Sequence, residues 1–147
     1  MDDVDIQILN LLREDSRMSL RQVSIKVDKA IGTVMKRIKD LQNEGILKKY
    51  TVVLDPIKLG YTQTAVILVQ TNGRIEFIKN TVSKMPSVIF VYQITGDFDI
   101  VITAKFKENS DLASFVKQLQ KINGIRRIVP SMALNVIKED ITSLCVA

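Results

Sequence analysis

The sequence predicts an α+β protein that is built from two different modules. Residues 3–44 show apolar residues at helical spacing, whereas residues 61–138 alternate short apolar strands with amphipathic helices. With 147 residues, 46% of them apolar, the chain can form one ordinary domain or two small ones with buried cores.

Three short helices are predicted in the first module. The first covers residues 3–14, and a capping box from Ser19 to Gln22 begins the second. The third ends near Glu44, where Gly45 supplies a stop. The sequence that follows predicts a turn and a short strand, Thr51–Leu54, so that the arrangement is of the winged type.

The third helix has an apolar side and a cationic side. At 100° per residue, its apolar residues Ile31, Val34, Ile38 and Leu41 share one side. The opposite side holds Lys29, Gly32, Thr33, Lys36, Lys39, Asp40 and Asn43, with Arg37 on the flank. Helix, tight turn and helix at this spacing indicate a helix-turn-helix, whose second helix reads the major groove of DNA. An ordinary three-helix bundle with an exposed basic helix is the alternative.

Charge is concentrated rather than spread along the chain, whose net charge is +5. Residues 19–39 contain six basic residues and one acidic residue, whereas residues 2–15 contain five acidic residues and one basic residue. A compact basic block indicates a polyanion partner, double-stranded DNA in this case. A solvated helical face is the alternative.

Two absences in the composition restrict the chemistry. The chain has no histidine and a single cysteine, Cys145, which removes the common general base and the usual zinc ligands. No glycine-rich phosphate loop is present. We therefore predict no catalytic residue, no metal ligand and no cofactor. The acidic start and the lack of a long apolar run predict a cytoplasmic protein without a membrane partner.

The second module is predicted to have the order β-α-β-β-α-β, which is ferredoxin-like. The predicted strands cover residues 64–71, 88–94, 100–106 and 125–138, and the predicted helices cover 74–85 and from Asn109 or Ser110 to Ile122. Both helices should cover one face of a four-stranded antiparallel sheet. Because the runs Ala65–Val69 and Val88–Val91 are apolar on both faces, the other face needs a cover. A second copy of the chain is the simplest cover, so we predict a homodimer.

Motifs of one known family occur in order along the chain. They are Asp3, Asp5, Ile8-Leu9, Leu12, Asp15-Ser16-Arg17, Thr33-Val34, Arg37-Ile38, Leu41 with Gly45-Ile46, Tyr50, Leu54-Asp55-Pro56, Leu59-Gly60 and Gly96-Asp97-Phe98-Asp99. In their spacing the sequence resembles the Lrp/AsnC (feast/famine) transcriptional regulators of prokaryotes and archaea over nearly its whole length. The resemblance implies a DNA-reading module joined to a dimerising module that senses an effector. It also implies dimers or octamers, many of which respond to an amino acid.

The resemblance, together with the charge pattern, defines the predicted site residues. Thr33, Lys36 and Arg37 fall where the family's recognition helix meets DNA. The full set of predicted DNA contacts is Ser19, Arg21, Gln22, Lys29, Thr33, Lys36, Arg37, Lys39 and Lys48. Gly96, Asp97 and Asp99 fall in the loop that lines the family's small-molecule site between dimers. A plain hairpin turn is the alternative for that loop.

Four segments are predicted from these features. Residues 1–49 form the DNA-binding domain, 50–60 a linker, 61–140 the dimerisation and effector-sensing domain, and 141–147 a C-terminal tail.

The sequence departs from the family pattern at two positions. Ala30 stands where the family has a serine cap at the start of the recognition helix, and such a cap is worth roughly 1 kcal/mol. Pro130 stands where the family has a threonine that faces the effector pocket, and proline supplies no hydroxyl. The predicted effector is therefore an amino acid, a different small molecule, or none.

The leading prediction is a sequence-specific DNA-binding transcriptional regulator, dimeric or larger, which a small effector modulates. One alternative is a small-molecule sensor that does not read DNA. Another is an enzyme, because some proteins similar to this family decarboxylate a tetrapyrrole. A cleft lined by histidine is expected in such an enzyme, and this chain has no histidine.

Overall fold

The structure, a computed structural model of the chain, describes residues 1–141. It divides into two compact units. The first comprises residues 1–53 and the described residues from Glu139 onward, and the second comprises residues 54–138. The predicted tail beyond residue 141, including Cys145, lies outside the described residues. The proposed functional boundaries at residues 49, 60 and 140 stay predictions.

The first unit contains three helices around a small apolar core. They are α1 (Asp3–Glu14), α2 (Leu20–Lys26) and α3 (Ile31–Asn43). One buried stripe from each helix contributes to the core, which consists of Ile8, Leu12, Val23, Val27, Val34 and Ile38. Leu47 packs against this cluster from the segment that follows α3. The predicted helices and their apolar stripes are therefore confirmed, except that Ile31 at the start of α3 is 46% exposed.

Residues 51–54 do not form the predicted strand. The segment is exposed and irregular, and within residues 1–141 no strand pairs with it. A run of β-branched residues is not enough for a strand, because the ladder of hydrogen bonds requires a neighbouring strand.

The second unit is a four-stranded antiparallel sheet with two helices. In chain order its elements are β1 (Gln63–Thr71), α4 (Ile75–Val82), β2 (Val88–Gln93), β3 (Ile100–Phe106), α5 (Asn109–Gln120) and β4 (Ile125–Met132). The strand order across the sheet is β2-β3-β1-β4, and every neighbouring pair is antiparallel. This is the predicted ferredoxin-like topology.

Both helices pack on the same face of the sheet. The buried cluster combines the inward residues of β1 and β3 with Ile78 and Val82 of α4 and Phe115 and Leu119 of α5. The register explains the alternation, since Ile67 lies opposite Ile102 and both are fully buried. Their neighbours along the strands point to the other face of the sheet.

Several element ends differ from the sequence prediction, and the following are the clearest. Helix α4 ends at Val82, three residues before the predicted end. Helix α5 has Glu108 at its N-cap, and not Asn109 or Ser110, and the amide of Glu108 donates to Asp111 Oδ2 over 3.3 Å. Strand β4 ends at Met132, which lies opposite Ala65, and does not reach the predicted end at Lys138. Because β1 begins at Gln63, no partner strand would remain for the last residues of the predicted strand.

Pro130 lies in the edge strand β4, opposite Ile67. The amide of Ala133 donates to the carbonyl of Thr64. Because donors in an antiparallel pair alternate between the two sides of a strand, position 130 faces the outer edge of the sheet. Pro130 therefore removes no hydrogen bond from the β1–β4 ladder.

Candidate nucleic-acid interface and effector loop

Helix α3 presents a polar, cationic surface opposite its buried stripe. Val34, Ile38 and Leu41 are buried, and they orient the helix within the first unit. The residues exposed on its other side include Gly32, Thr33, Lys36, Lys39, Asp40 and Asn43, and Lys29 is exposed just before the helix. Apart from Ile31 and Met35 at the border, large apolar side chains are missing from the exposed surface of α3. This arrangement collects hydrogen-bonding and cationic groups on one surface, as a contact with a groove of duplex DNA requires.

The turn between α2 and α3 depends on Asp28. This residue adopts a left-handed backbone conformation with φ of 51°. The next amide, of Lys29, donates to the carbonyl of Ser24 over 3.1 Å, which closes the C-terminal end of α2. The chain then reverses and places the exposed Ala30 at the start of α3, where no side-chain cap is formed.

Ser19 and Gln22 form the predicted capping box at the start of α2. The amide of Gln22 donates to Ser19 Oγ over 3.2 Å, and the amide of Ser19 donates to Gln22 Oε1 over 2.8 Å. The Ser19 hydroxyl also donates to Gln22 Oε1. The hydroxyl and the amide oxygen are thus engaged in fixing α2, and Arg21 between them is exposed. The DNA contacts predicted for Ser19, Arg21 and Gln22 stay predictions.

Arg37 differs from the other predicted DNA contacts because it is held by two carboxylates. Its Nη1 lies 2.7 Å from an oxygen of Asp2 and 2.8 Å from an oxygen of Asp5. The hydrogen bond from Arg37 is the main cause that holds the pKa of the Asp2 carboxyl below its ordinary value. The hydrogen bonds to Asp2 and Asp5 raise the pKa of Arg37. The contact of Arg37 with DNA stays a prediction, as does that of the exposed Lys48.

The loop between β2 and β3 in the second unit contains Gly96, Asp97 and Asp99. Asp99 Oδ2 accepts the amide of Thr71 over 2.6 Å and the Thr71 hydroxyl over 3.0 Å. The backbone carbonyl of Asp97 accepts from Gln70 Nε2 over 2.9 Å, while the Asp97 side chain is exposed. The amide of Asp99 also donates to the carbonyl of Val69 over 3.0 Å. The loop is therefore tied to the end of β1 through three consecutive residues, Val69, Gln70 and Thr71.

Gln70 and Thr71, the residues that hold this loop, were not predicted from the sequence. Thr71 and Gln70 precede the loop by more than 25 residues, so no local pattern connects them to it. The guanidinium of Arg127 in β4 lies 5.5 Å from the centre of the Phe98 ring. Such a cation–π contact adds a positive charge beside the loop carboxylates. Arg127 is the sequence signal from which this contact could have been predicted. The ferredoxin-like order places its strand, β4, beside β1, to which the loop is tied.

The face of the sheet that carries no helix is partly apolar. Val66 is 40% exposed and Tyr92 is 55% exposed, and the Tyr92 ring stacks on Phe90 with centroids 6.0 Å apart. The register places Leu68, Val101 and Val129 in one row across this face. We call the residues Val66, Leu68, Phe90, Tyr92, Val101 and Val129 the open sheet face.

Two further findings concern metals and membranes. Among the residues described, no group of histidine, cysteine or acidic side chains is arranged to hold a metal ion. Within residues 1–141, none of the helices has the length and apolar character needed to span a bilayer.

The fold and the cationic helix define a class of protein, the helix-turn-helix DNA-binding regulators. Residues 1–48 match the winged helix-turn-helix DNA-binding family model, and residues 64–142 match the Lrp/AsnC ligand binding domain. The chain belongs to the Lrp/AsnC family of transcriptional regulators, as the sequence motifs predict.

Similar proteins and structures agree with this assignment. An HTH-type transcriptional regulator of Pyrococcus furiosus is 39% identical over 141 residues, covering 95% of each chain. The regulator FL11 of the same organism is 33% identical and covers 95% of this chain and 93% of its own. A transcriptional regulator of Neisseria meningitidis, solved in complex with L-Met, has a TM-score of 0.85 at 26% identity and covers 97% of this chain and 95% of its own. These relatives are named as transcriptional regulators.

Proposed function

We propose that this regulator reads a DNA sequence with helix α3. The supporting observation is the exposed cationic side of α3 opposite the buried Val34, Ile38 and Leu41. In this proposal Thr33 and Lys36 contact base edges in the major groove. The proposed phosphate contacts are Arg21, Lys29, Lys39 and Lys48. Phosphate contacts position the protein, whereas base contacts select the sequence.

The test begins by selecting a binding site from a pool of random duplexes, because the amino-acid sequence does not specify which DNA sequence the protein binds. Fluorescence anisotropy then compares the selected site with a shuffled duplex of equal composition over a series of salt concentrations. We expect tighter binding to the selected site. We also expect the logarithm of the binding constant to fall with the logarithm of the salt concentration, with a slope of about 0.9 for each neutralised phosphate.

Two lysine variants make this test specific to the proposed surface. Lys36→Ala should reduce the preference for the selected site, because a good base contact is worth about 1–3 kcal/mol of discrimination. Lys117→Ala removes the same charge from the exposed side of α5 in the second unit and should leave binding unchanged. Failure to enrich any sequence would contradict the proposal and favour a sensor that does not read DNA.

We also propose that an amino acid binds at the Gly96–Asp99 loop. Support comes from the match of residues 64–142 to a ligand-binding domain and from the neighbour solved with L-Met. The exposed Asp97 carboxylate is the proposed partner of the ligand's ammonium group, because Asp99 Oδ2 already accepts two hydrogen bonds from Thr71. Asp99 then positions the loop.

A thermal shift screen with the common amino acids tests the effector proposal. A ligand present at 100 times its Kd should stabilise the protein by about 2.7 kcal/mol, which is a clear rise in Tm. Asp97→Asn should abolish the shift and leave the Tm of the free protein unchanged. A ligand whose shift survives this substitution binds elsewhere.

The proposed assembly is a homodimer joined through the open sheet face, with further association into a closed oligomer. The supporting observation is the row of apolar side chains that neither helix covers. We propose the cytoplasm as its location, where the DNA it would read is accessible.

A further inference from the structure

Among the interactions of residues 1–141, Arg37 is the one predicted DNA contact whose charged group already has carboxylate partners. Its Nη1 donates to both carboxylate oxygens of Asp2, each over 2.7 Å, and to Oδ1 of Asp5 over 2.8 Å. These carboxylates lie 35 and 32 residues away in sequence. The Arg37 side chain is 29% exposed and that of Asp5 only 14%, so the contact is partly shielded from solvent.

The same two carboxylates also organise the start of helix α1. Asp2 Oδ1 accepts the amides of Val4 and Asp5 over 3.0 and 3.1 Å. Asp5 Oδ2 accepts the amide of Asp2 over 2.8 Å, which completes a capping box. Arg37 therefore joins the N-terminal end of α1 to the middle of α3 through one hydrogen-bonded network.

The position of Arg37 on α3 separates it from part of the cationic surface. At 100° per residue, Arg37 lies about 100° around the helix from Lys36 and about 160° from Lys39. It points towards α1, where its contacts are. If Arg37 left these contacts for a phosphate, Asp2 and Asp5 would remain side by side without their cation and close to the DNA, which is unfavourable.

We propose that Arg37 is a positioning residue that fixes α3 against α1 and makes no contact with DNA. This inference rests on the proposed DNA-reading function of α3. Arg37 orients the helix so that Thr33 and Lys36 reach the groove together, and the network Asp2–Asp5–Arg37 carries that orientation. Neutralising Asp5 should then harm sequence reading even though it makes the protein more positive.

The experiment measures DNA binding and stability for a set of four variants. Arg37→Ala and Asp5→Asn each break the network, and the double variant closes a thermodynamic cycle. Asp3→Asn is the matched control, because it removes one negative charge from the exposed side of α1. Should Asp5→Asn fail to fold, Asp2→Asn replaces it, since Asp2 is more exposed.

The expected result distinguishes an effect on the orientation of α3 from an effect of net charge on DNA binding. Both Arg37→Ala and Asp5→Asn should bind the selected site about tenfold more weakly, as expected for one lost base contact. Their salt slope should stay that of the unmodified protein. Asp3→Asn should bind as tightly as the unmodified protein or more tightly. In the thermodynamic cycle, the stability losses of Arg37→Ala and Asp5→Asn should not add, because both remove the same interaction.

Two results would overturn the inference. One is a salt slope that falls by about 0.9 in Arg37→Ala, which is the signature of a lost phosphate contact. The other is tighter binding of the selected site by Asp5→Asn, which is the effect of charge alone. If the unmodified protein prefers no sequence, the proposed function fails separately. In that case the thermodynamic cycle alone tests the role of Arg37. Losses of stability that add in the double variant would overturn the inference that Arg37 and Asp5 act through one contact.

Discussion

At the scale of single residues, the two modules use charged side chains in similar ways. Arg37 is fixed by Asp2 and Asp5, and Asp99 is fixed by the amide and hydroxyl of Thr71. In both cases a residue that sequence motifs assign to a ligand is also tied to its own fold. Such ties hold the neighbouring groups that we propose to bind, Thr33 and Lys36 of α3 and Asp97 of the loop, in place before the ligand arrives, and this reduces the entropy lost on binding.

The pH dependence of stability should reveal the Asp2–Arg37 contact. Because Arg37 holds the pKa of Asp2 below its ordinary value of 3.8, the contribution of this pair is present above that pH. It is lost as the pH falls through the lowered pKa of the folded protein. We expect Arg37→Ala to lower Tm at pH 7, and the difference from the unmodified protein to shrink below about pH 4. A difference that is constant from pH 7 to pH 3 would contradict this prediction.

Gly124 should tolerate substitution less well than another glycine of the same unit. Its φ is +100°, and an added Cβ would lie 3.1 Å from the Gly73 carbonyl oxygen and 3.3 Å from Ile78 Cδ1. Gly60 has a φ of +87° but open space around the added atom. Gly60→Ala should cost about 1–2 kcal/mol of backbone strain, and Gly124→Ala about 1–3 kcal/mol more from crowding. Urea unfolding of both variants checks this, and equal losses would show that crowding is absent.

At the scale of elements, local signals predict the helices better than the ends of strands. The bounds of α1 and α2 follow from Asp2 and Ser19, whose side chains cap amides within three residues. The end of β4 depends instead on where β1 begins, more than 60 residues earlier. The exposed surface of α3 is likewise predictable, because the spacing of residues within one helix decides which side each residue occupies. The contacts of Arg37 and Asp99, which join distant segments, are not.

The start of α3 should accept a serine cap. Ala30 has an extended backbone, φ −59° and ψ 145°, and makes no side-chain hydrogen bond. Ala30→Ser should therefore raise the free energy of unfolding by about 1 kcal/mol. Ala113→Ser, on the exposed side of α5, should instead lower it by a few tenths of a kcal/mol. Thermal unfolding of both variants provides the measurement, and an Ala30→Ser variant no more stable than the parent would refute the cap.

At the scale of the whole molecule, the open sheet face determines the assembly that we propose. A small α+β unit with helices on one face leaves the other face to be covered by association. Apolar residues such as Val66 and Tyr92 remain substantially exposed in the single chain. A pair of recognition helices in a dimer would also read two half-sites, which raises affinity beyond that of one helix.

Val66→Glu should disrupt this dimer. The substitution places a charge at the centre of the open sheet face, and burying it without a partner costs several kcal/mol. Sedimentation should show a smaller particle, while the circular dichroism spectrum stays that of the folded protein. Ala113→Glu adds the same charge on the exposed side of α5 and should leave the mass unchanged. If Val66→Glu keeps the mass of the parent, the interface lies elsewhere.

Pro130 has a consequence for how copies of this protein can meet. The outer edge of a sheet normally offers a row of amides to which a foreign strand can add. In β4 that row is interrupted at position 130, because proline has no amide proton to offer there. Growth of the sheet strand by strand, which leads to open-ended fibres, is therefore blocked at this edge. In the proposed homodimer the copies meet by their sheet faces instead, and a two-fold contact of this kind closes after two chains.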